Sequence, residues 1–205
     1  MSVAAKHEKR RREVLTRALD VFVEEGFENT TFQKIADRCG ITRTTLYIHF
    51  KNKKDVFNYS IKLLLDKVEE DIRVIQLDGS LDGVEKIVAV LTAVFALLEE
   101  NRRLLSVVLD YLLLLSRNGA DPGARVRRRT IRLRHILASL VIAGIKSGEI
   151  RPVSVKTAGN FLYGFIEAAI YRIAVLRQES VGDMRETVAV AVRRFAEREP
   201  GDAAG

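Results

Sequence analysis

Tryptophan is absent from this chain, cysteine occurs once and proline only three times in 205 residues. With Cys39 alone no intrachain disulfide can form, so the fold must rest on burial and hydrogen bonding, as is usual in a reducing compartment. So little proline leaves long stretches where nothing interrupts an α-helix. Long apolar runs are lacking too. The two longest, residues 87–98 and 104–115, fall short of the roughly 20 residues a membrane-spanning helix requires, and the second contains Ser106 and Asp110. The opening residues, MSVAAKHEKRRRE, are basic but lead into no apolar segment of the kind a secretory signal carries. These absences set the expectation of a soluble, cytoplasmic protein with no membrane partner.

Catalytic and metal-binding signatures are missing as well. His7, His49 and His135 are far apart in sequence, and there is no HExxH, GxSxG, phosphate-binding glycine loop or paired cysteine set. The expectation is therefore a protein that is not an enzyme and has no metal site or cofactor.

What the chain does have is positive charge and helical periodicity. Its 34 Lys and Arg exceed its 27 Asp and Glu, for a net charge of +7. Residues 1–55 hold 12 basic against 8 acidic side chains, and the remaining 150 hold 22 against 19. The denser excess near the N-terminus suits a polyanionic partner there. Apolar residues recur at spacings of three and four, beginning with Val14, Leu15, Ala18, Leu19 and Phe22. No strand pattern of convincing length and no internal repeat is present. The pattern predicts an all-α chain of about nine helices, over roughly 9–25, 32–38, 43–49, 53–74, 83–100, 103–117, 125–147, 155–177 and 183–198. Residues 1–7 and 199–205 are expected to lack regular structure.

The most specific stretch is residues 30–57, TTFQKIADRCGITRTTLYIHFKNKKDVF. Thr31 can cap a short helix, and Gly40 can supply the positive φ of a tight corner. Ile41 plugs that corner, and Thr42 caps a second short helix with Leu46 turned inward. Arg43, Thr44, Thr45, Tyr47 and His49 are left to point outward. The major groove of DNA is about 12 Å wide and admits one α-helix, so a slim helix with a polar outer face is the shape of a reader. Arg43 suits guanine O6 and N7, and Thr44 and Thr45 suit a base edge or a thymine methyl. Tyr47, His49, Lys53 and the helix start at Thr31 suit phosphates. A helical hairpin that merely packs would not require so many exposed polar groups beside a glycine corner.

These residues resemble the DNA-binding domain of the tetracycline-repressor (TetR) family of one-component regulators. The resemblance is carried by Ile35-Ala36, Gly40-Ile41-Thr42, Thr45-Leu46-Tyr47, His49-Phe50 and Lys51-Asn52-Lys53, with helix one ending Phe22…Glu25-Gly26-Phe27. It covers about residues 8–60. It implies DNA contacts at Thr31, Gln33, Thr42, Arg43, Thr44, Thr45, Tyr47, His49 and Lys53. It also implies an N-terminal three-helix helix-turn-helix domain, residues 1–52, followed by a helical ligand-binding and dimerisation domain, residues 53–205. The implied function is a repressor released from palindromic operator DNA by a small molecule. The alternative is a regulator of the same family that activates or takes no inducer.

Expectations for the C-terminal part follow from that resemblance and from helical spacing. A homodimer through the last two helices would use Phe161, Gly164, Phe165 and Ala168, then Met184, Val188, Val192 and Phe195; the small residues permit close approach, and an intramolecular hairpin is the alternative. A largely hydrophobic effector would meet a few polar groups, with candidates Asp110, Tyr111, His135, Asn160, Tyr163, Glu167 and Tyr171. An acidic group such as Asp110 or Glu167 would select a cationic ligand. The arginines at 125, 127, 128, 129, 132 and 134 are either the wet face of a helix or a seat for an anion.

Overall fold

The computed structural model describes residues 3–196. Among these, nine helices and no strand are present: α1 (Val3–Asn29), α2 (Phe32–Cys39), α3 (Arg43–His49), α4 (Lys53–Leu77), α5 (Gly83–Glu100), α6 (Arg102–Arg117), α7 (Pro122–Ser147), α8 (Val155–Ala174) and α9 (Gly182–Ala196). No described helix is long and apolar enough to cross a membrane. The packing divides the chain into two compact units. Of the described residues, one takes those up to Val68 together with Arg103–Leu114; the other takes Glu69–Arg102 and those from Leu115 onward. The expected boundary at 52/53 divides the chain by role, whereas this division follows packing, and α4 has residues in both units.

In the first unit, α1 buries Val14, Leu15, Ala18, Val21 and Phe22. It starts at Val3 rather than near Lys9, so most of the expected N-terminal arm is helical; Met1 and Ser2 lie outside the described residues. Gly26 adopts φ 75°, ψ 167°, which breaks the helix where the sequence places its end, and one further turn continues to Asn29. The break leaves the Gly26 carbonyl to accept from the buried Thr30 hydroxyl at 2.6 Å. Phe27 then folds back into an aromatic cluster. Its ring lies 5.9 Å from Phe22, 5.2 Å from Phe57 and 4.4 Å from Tyr111 of α6. Ser60 of α4, fully buried, donates to the Leu15 carbonyl at 2.8 Å and so satisfies a hydroxyl inside this core.

In the second unit α5 is central, with α7, α8 and α9 packed on it. Its buried residues, Val84, Ile87, Val90, Leu91, Val94 and Phe95, recur at helical spacing. Asp82 and Glu85 form the expected capping box, with reciprocal bonds of 2.7 and 2.9 Å. At the other end of α5, Glu99 holds the α8–α9 connection. Its carboxylate accepts from Ser180 Oγ at 2.8 Å and Val181 N at 2.7 Å, and it pairs with Arg185. Burial acts to raise the Glu99 pKa, but these donors outweigh it and hold the carboxyl below its usual value.

Two boundaries differ from expectation. α7 begins at Pro122, not Arg125, because Asp121 accepts from Ala124 N at 3.0 Å and proline fits a first helical turn that needs no N–H. α8 ends at Ala174 rather than 177, and Arg177 takes φ 57° in the turn that follows.

The α5 start and the α7 end meet through glycine. A Cβ on Gly144 would lie 2.5 Å from Ile150 Cδ1 and 2.8 Å from its Cγ1, with the Ile150 N–H bonded to the Gly144 carbonyl at 2.9 Å. Gly144→Ala is expected to cost about 1–3 kcal/mol in chemical denaturation through overpacking. Adding Ile150→Val should recover part of that loss. Equal stability of Gly144→Ala and wild type would show that the contact yields freely.

Candidate nucleic-acid interface

The corner between α2 and α3 is built from local chemistry. Thr31 caps α2, its hydroxyl accepting from Lys34 N at 3.2 Å. Gly40 takes the left-handed conformation, φ 63°, ψ 40°. Its N–H donates to Asp37 O at 3.1 Å and the Ile41 N–H to Ala36 O at 3.0 Å, the paired closure that satisfies the last carbonyls of a helix. Thr42 then caps α3, accepting from Thr45 N at 3.1 Å, and the two threonine hydroxyls share a 2.8 Å bond. Leu46 is fully buried and anchors α3 from behind, while Ile35 and Ala36 are the fully buried residues of α2.

α2 is tied to α1 by charge as well as packing. Lys34 meets Glu25 at 2.6 Å, and Arg38 pairs with Glu24, whose carboxyl it holds below the usual range. Cys39 is buried with its thiol against the Val14 carbonyl, and burial pushes its pKa up, which suits a packing residue rather than a nucleophile.

The outer face of α3 carries most of the residues singled out by sequence. Arg43 and Thr44 are exposed. The Arg43 guanidinium lies over the Tyr47 ring at 5.6 Å and donates to its hydroxyl at 3.2 Å. Tyr47, half exposed, rests its ring 4.7 Å from Phe32 of α2. Arg43 is thus held at the helix start against Tyr47 while remaining exposed. Thr45 is partly covered by its bond to Thr42. Gln33 on α2 is exposed and donates to Asp37 at 2.7 Å. His49 sits at the end of α3, its ring 6.1 Å from that of His7 on α1. Burial first, then His7, Arg11 and Arg10, lower its pKa. Arg11 itself lies over Phe50 at 5.3 Å and Tyr59 at 4.6 Å.

Sequence reasoning passed over Ile48, which is 73% exposed in the middle of this polar face. Arg43, Thr44, Tyr47 and Ile48 fall at i, i+1, i+4 and i+5, one stripe of a helix. That spacing is legible in the sequence, although Ile48 is apolar. An exposed isoleucine there has the chemistry to meet a thymine methyl.

Lys53 is placed differently from a phosphate-gripping lysine. Its Nζ donates to the carbonyls of Phe27, Glu28 and Thr30 at 2.9, 2.6 and 2.9 Å and lies 5.0 Å from the Phe27 ring centre. An ammonium has three donors, and all three are used. Burial lowers its pKa, partly offset by Glu28.

The residues expected in the C-terminal part are distributed over different tasks. Tyr111 is buried in the aromatic core of the first unit, 5.0 Å from Phe57, so its ring packs there; Asp110 beside it is exposed. His135 is exposed. Asn160, Tyr163 and Glu167 do converge, and they do so on Arg134 of α7. Met184, Val188 and Val192 are buried against this chain's own core, where α9 packs on α5, so that stripe is spent internally. The side chain of Phe195 lies outside the described residues. The open face of α8 runs through Phe161, Ala168 and Tyr171 to Val175 just past its end, with Gly164 half-buried among them, at alternating spacings of three and four. Phe161 meets Phe165 edge to face at 5.2 Å. Phe161 also borders an open groove of about 550 Å³ with Arg151, Thr157, Ala158, Ala191 and Arg194.

Residues 14–59 match the family model described as bacterial regulatory proteins, tetR family. Among curated proteins, the fatty acid metabolism regulator protein of Bacillus subtilis is 26% identical over 163 residues, 77% of this chain and 80% of that protein. The HTH-type transcriptional repressor KstR2 of Rhodococcus jostii is 27% identical over 154 residues, 75% of this chain and 74% of that protein. Solved structures share the fold. A TetR transcription regulator from Haloarcula marismortui has a TM-score of 0.75 at 20% identity, covering 92% of this chain and 97% of that one. FadR from Bacillus subtilis, solved with stearoyl-CoA, has a TM-score of 0.69 at 23% identity, covering 90% and 98%.

Lys53→Met leaves three carbonyls without their donor and is expected to cost about 1–3 kcal/mol of stability. The same variant should leave the slope of log affinity for DNA against log salt unchanged. A lysine that grips a phosphate would flatten that slope by about one unit when removed, and such flattening would contradict the assignment.

Proposed function

The chain belongs to the tetR family of bacterial regulatory proteins, and from that premise we propose that it is a sequence-specific DNA-binding transcriptional regulator, a repressor released from a palindromic operator by a small molecule. The observation that carries the reading is the outer face of α3: Arg43, Thr44, Tyr47 and Ile48 exposed on a helix of seven residues braced from behind by Leu46. A helix so short and so exposed contributes little to the core and much to a groove. Residues 1–52 then hold the DNA, with Arg43, Thr44 and Ile48 toward base edges. Thr31, Gln33, Thr42, Thr45, Tyr47 and His49 position the backbone. Residues 53–205 sense the effector and dimerise. Lys53 is the clamp of the reading domain.

A homodimer through α8 is supported by its open face. Phe161 is 46% and Tyr171 52% exposed, and Val190 of α9 is 56% exposed. A Cβ on Gly164 would meet nothing within 4 Å, so the chain's own packing does not require a glycine there. Close approach of a second helix does. Tyr171, with its place in this stripe, moves from the effector candidates to the dimer face.

The effector is a small molecule with a large apolar part. Support comes from the fatty acid metabolism regulator of Bacillus subtilis among the sequence relatives and from Bacillus subtilis FadR, which shares the fold and was solved with stearoyl-CoA. A ligand shifts a regulator only as far as its affinities for the two states differ. α4, with residues in both units, is the segment through which such a preference would reach the reading domain.

Selection of bound DNA from a random pool should yield a palindrome whose half-sites are centred one helical turn apart, about 34 Å, or a multiple of it. Arg43→Ala should relax preference at one guanine of each half-site, by about 1–3 kcal/mol. A pool that enriches no sequence would remove this function.

A further inference from the structure

The arginine run of α7 is not one surface. Arg127 pairs with Asp121 at 3.3 Å and Arg132 with Glu69 at 2.7 Å, both exposed ion pairs that fit the wet face of a helix. Arg134 differs in what lies beneath it. Its guanidinium carbon stands 3.5 Å from the centre of the Tyr163 ring, and Tyr163 is only 3% exposed. At that separation the two planes must stack, so the guanidinium lies flat on a buried platform. Stacking leaves the in-plane N–H edge available to acceptors and reduces the entropy lost when one binds.

The acceptors now on that edge are distant. Asn160 Oδ1 and Glu167 Oε1 both lie at 3.4 Å, whereas charge-assisted bonds usually close to about 2.7–2.9 Å. Glu167 is mostly exposed, with 63% of its side chain open to solvent, so it can swing into water at little cost. It balances the arginine's charge without closing on it. The carboxylate that sequence alone assigned to a cationic ligand therefore already faces a cation of its own chain.

We propose that Arg134, on its Tyr163 platform, receives an oxyanion of the effector, a carboxylate or a phosphate, and that Glu167 is the resident counter-ion displaced when it binds. The proposal rests on the reading of the second unit as effector-binding and adds the sign of the ligand's charge and the residue that meets it. Arg134 supplies a planar, two-pronged donor that a lysine cannot reproduce. Asn160, its side-chain amide beside the same edge, can turn its own N–H toward the incoming oxygens.

The test is calorimetric titration of the full chain with decanoate, decanoyl-coenzyme A, free coenzyme A and decyltrimethylammonium. The first three separate a carboxylate source from a phosphate source, and the last reverses the charge. At least one anion should bind wild type, and the cation should not. Arg134→Gln should weaken that anion at least about tenfold, with Arg134→Lys in between. Glu167→Gln should tighten it by roughly two- to fivefold, the worth of a competing exposed ion pair. Binding of the cation alone, of no anion, or of the anion equally by wild type and Arg134→Gln would overturn the proposal, as would weaker binding by Glu167→Gln. Operator affinity without ligand, measured on the same variants, keeps the two readings apart. Loss of DNA binding in wild type fails the regulator reading, whereas wild-type DNA binding with an indifferent Arg134 fails this proposal alone.

Discussion

Three backbone carbonyls at the end of α1, those of Phe27, Glu28 and Thr30, converge on one ammonium group, Lys53 Nζ, at 2.6–2.9 Å. A helix end leaves up to four carbonyls unpaired, and each is costly to bury that way. Gly26 makes the problem acute, because its positive φ breaks α1 just before the turn toward α2. Lys53, the first residue of α4, resolves it from across the domain. The bond set fixes where α1 ends and α4 begins, and with them the place from which α2 starts. The Phe22, Phe27, Phe57 and Tyr111 rings close over the same turn and hold it from the apolar side. The reading helix α3 then inherits its pose through Thr31, Gly40 and Leu46.

Much of this was legible in sequence because it is local. Asp82 with Glu85, Thr42 before α3, and Gly40 at the corner are set by neighbours within four residues, and each sits in the structure as the sequence predicts. What escaped was tertiary. Spacing shows that Met184, Val188 and Val192 form an apolar face, but not whether α5 or a second chain covers it; α5 does. In sequence Tyr111 is a polar group within a leucine run, whereas in the fold α6 places it against Phe27 and Phe57. Lys53 looked like one more basic residue near DNA, since nothing in the sequence says that three carbonyls lie within its reach. Ile48 shows the opposite case, an apolar residue whose place on the outer face of α3 only the structure makes plain.

In the second unit the same division of labour recurs. α5 supplies the shared core, Glu99 and the Gly83–Gly144 contact secure its two ends, and the outer faces of α7 and α8 are left for other work. On α8 these faces adjoin. Phe161, Gly164, Ala168 and Tyr171 make the stripe proposed for a second copy, and Asn160, Tyr163 and Glu167 turn toward Arg134. An effector that moved Glu167 would act on the same helix that carries the dimer stripe, which gives ligand binding a short route to dimer geometry.

The central claim is that α3 enters the major groove and reads bases there. Methylation interference on the selected operator tests it directly, because one reagent marks guanine N7 in the major groove and adenine N3 in the minor groove. The account predicts that methylated guanine N7 within each half-site blocks binding, and that the block at one such guanine vanishes in Arg43→Ala. Interference confined to adenine N3, or none at either position, would contradict it.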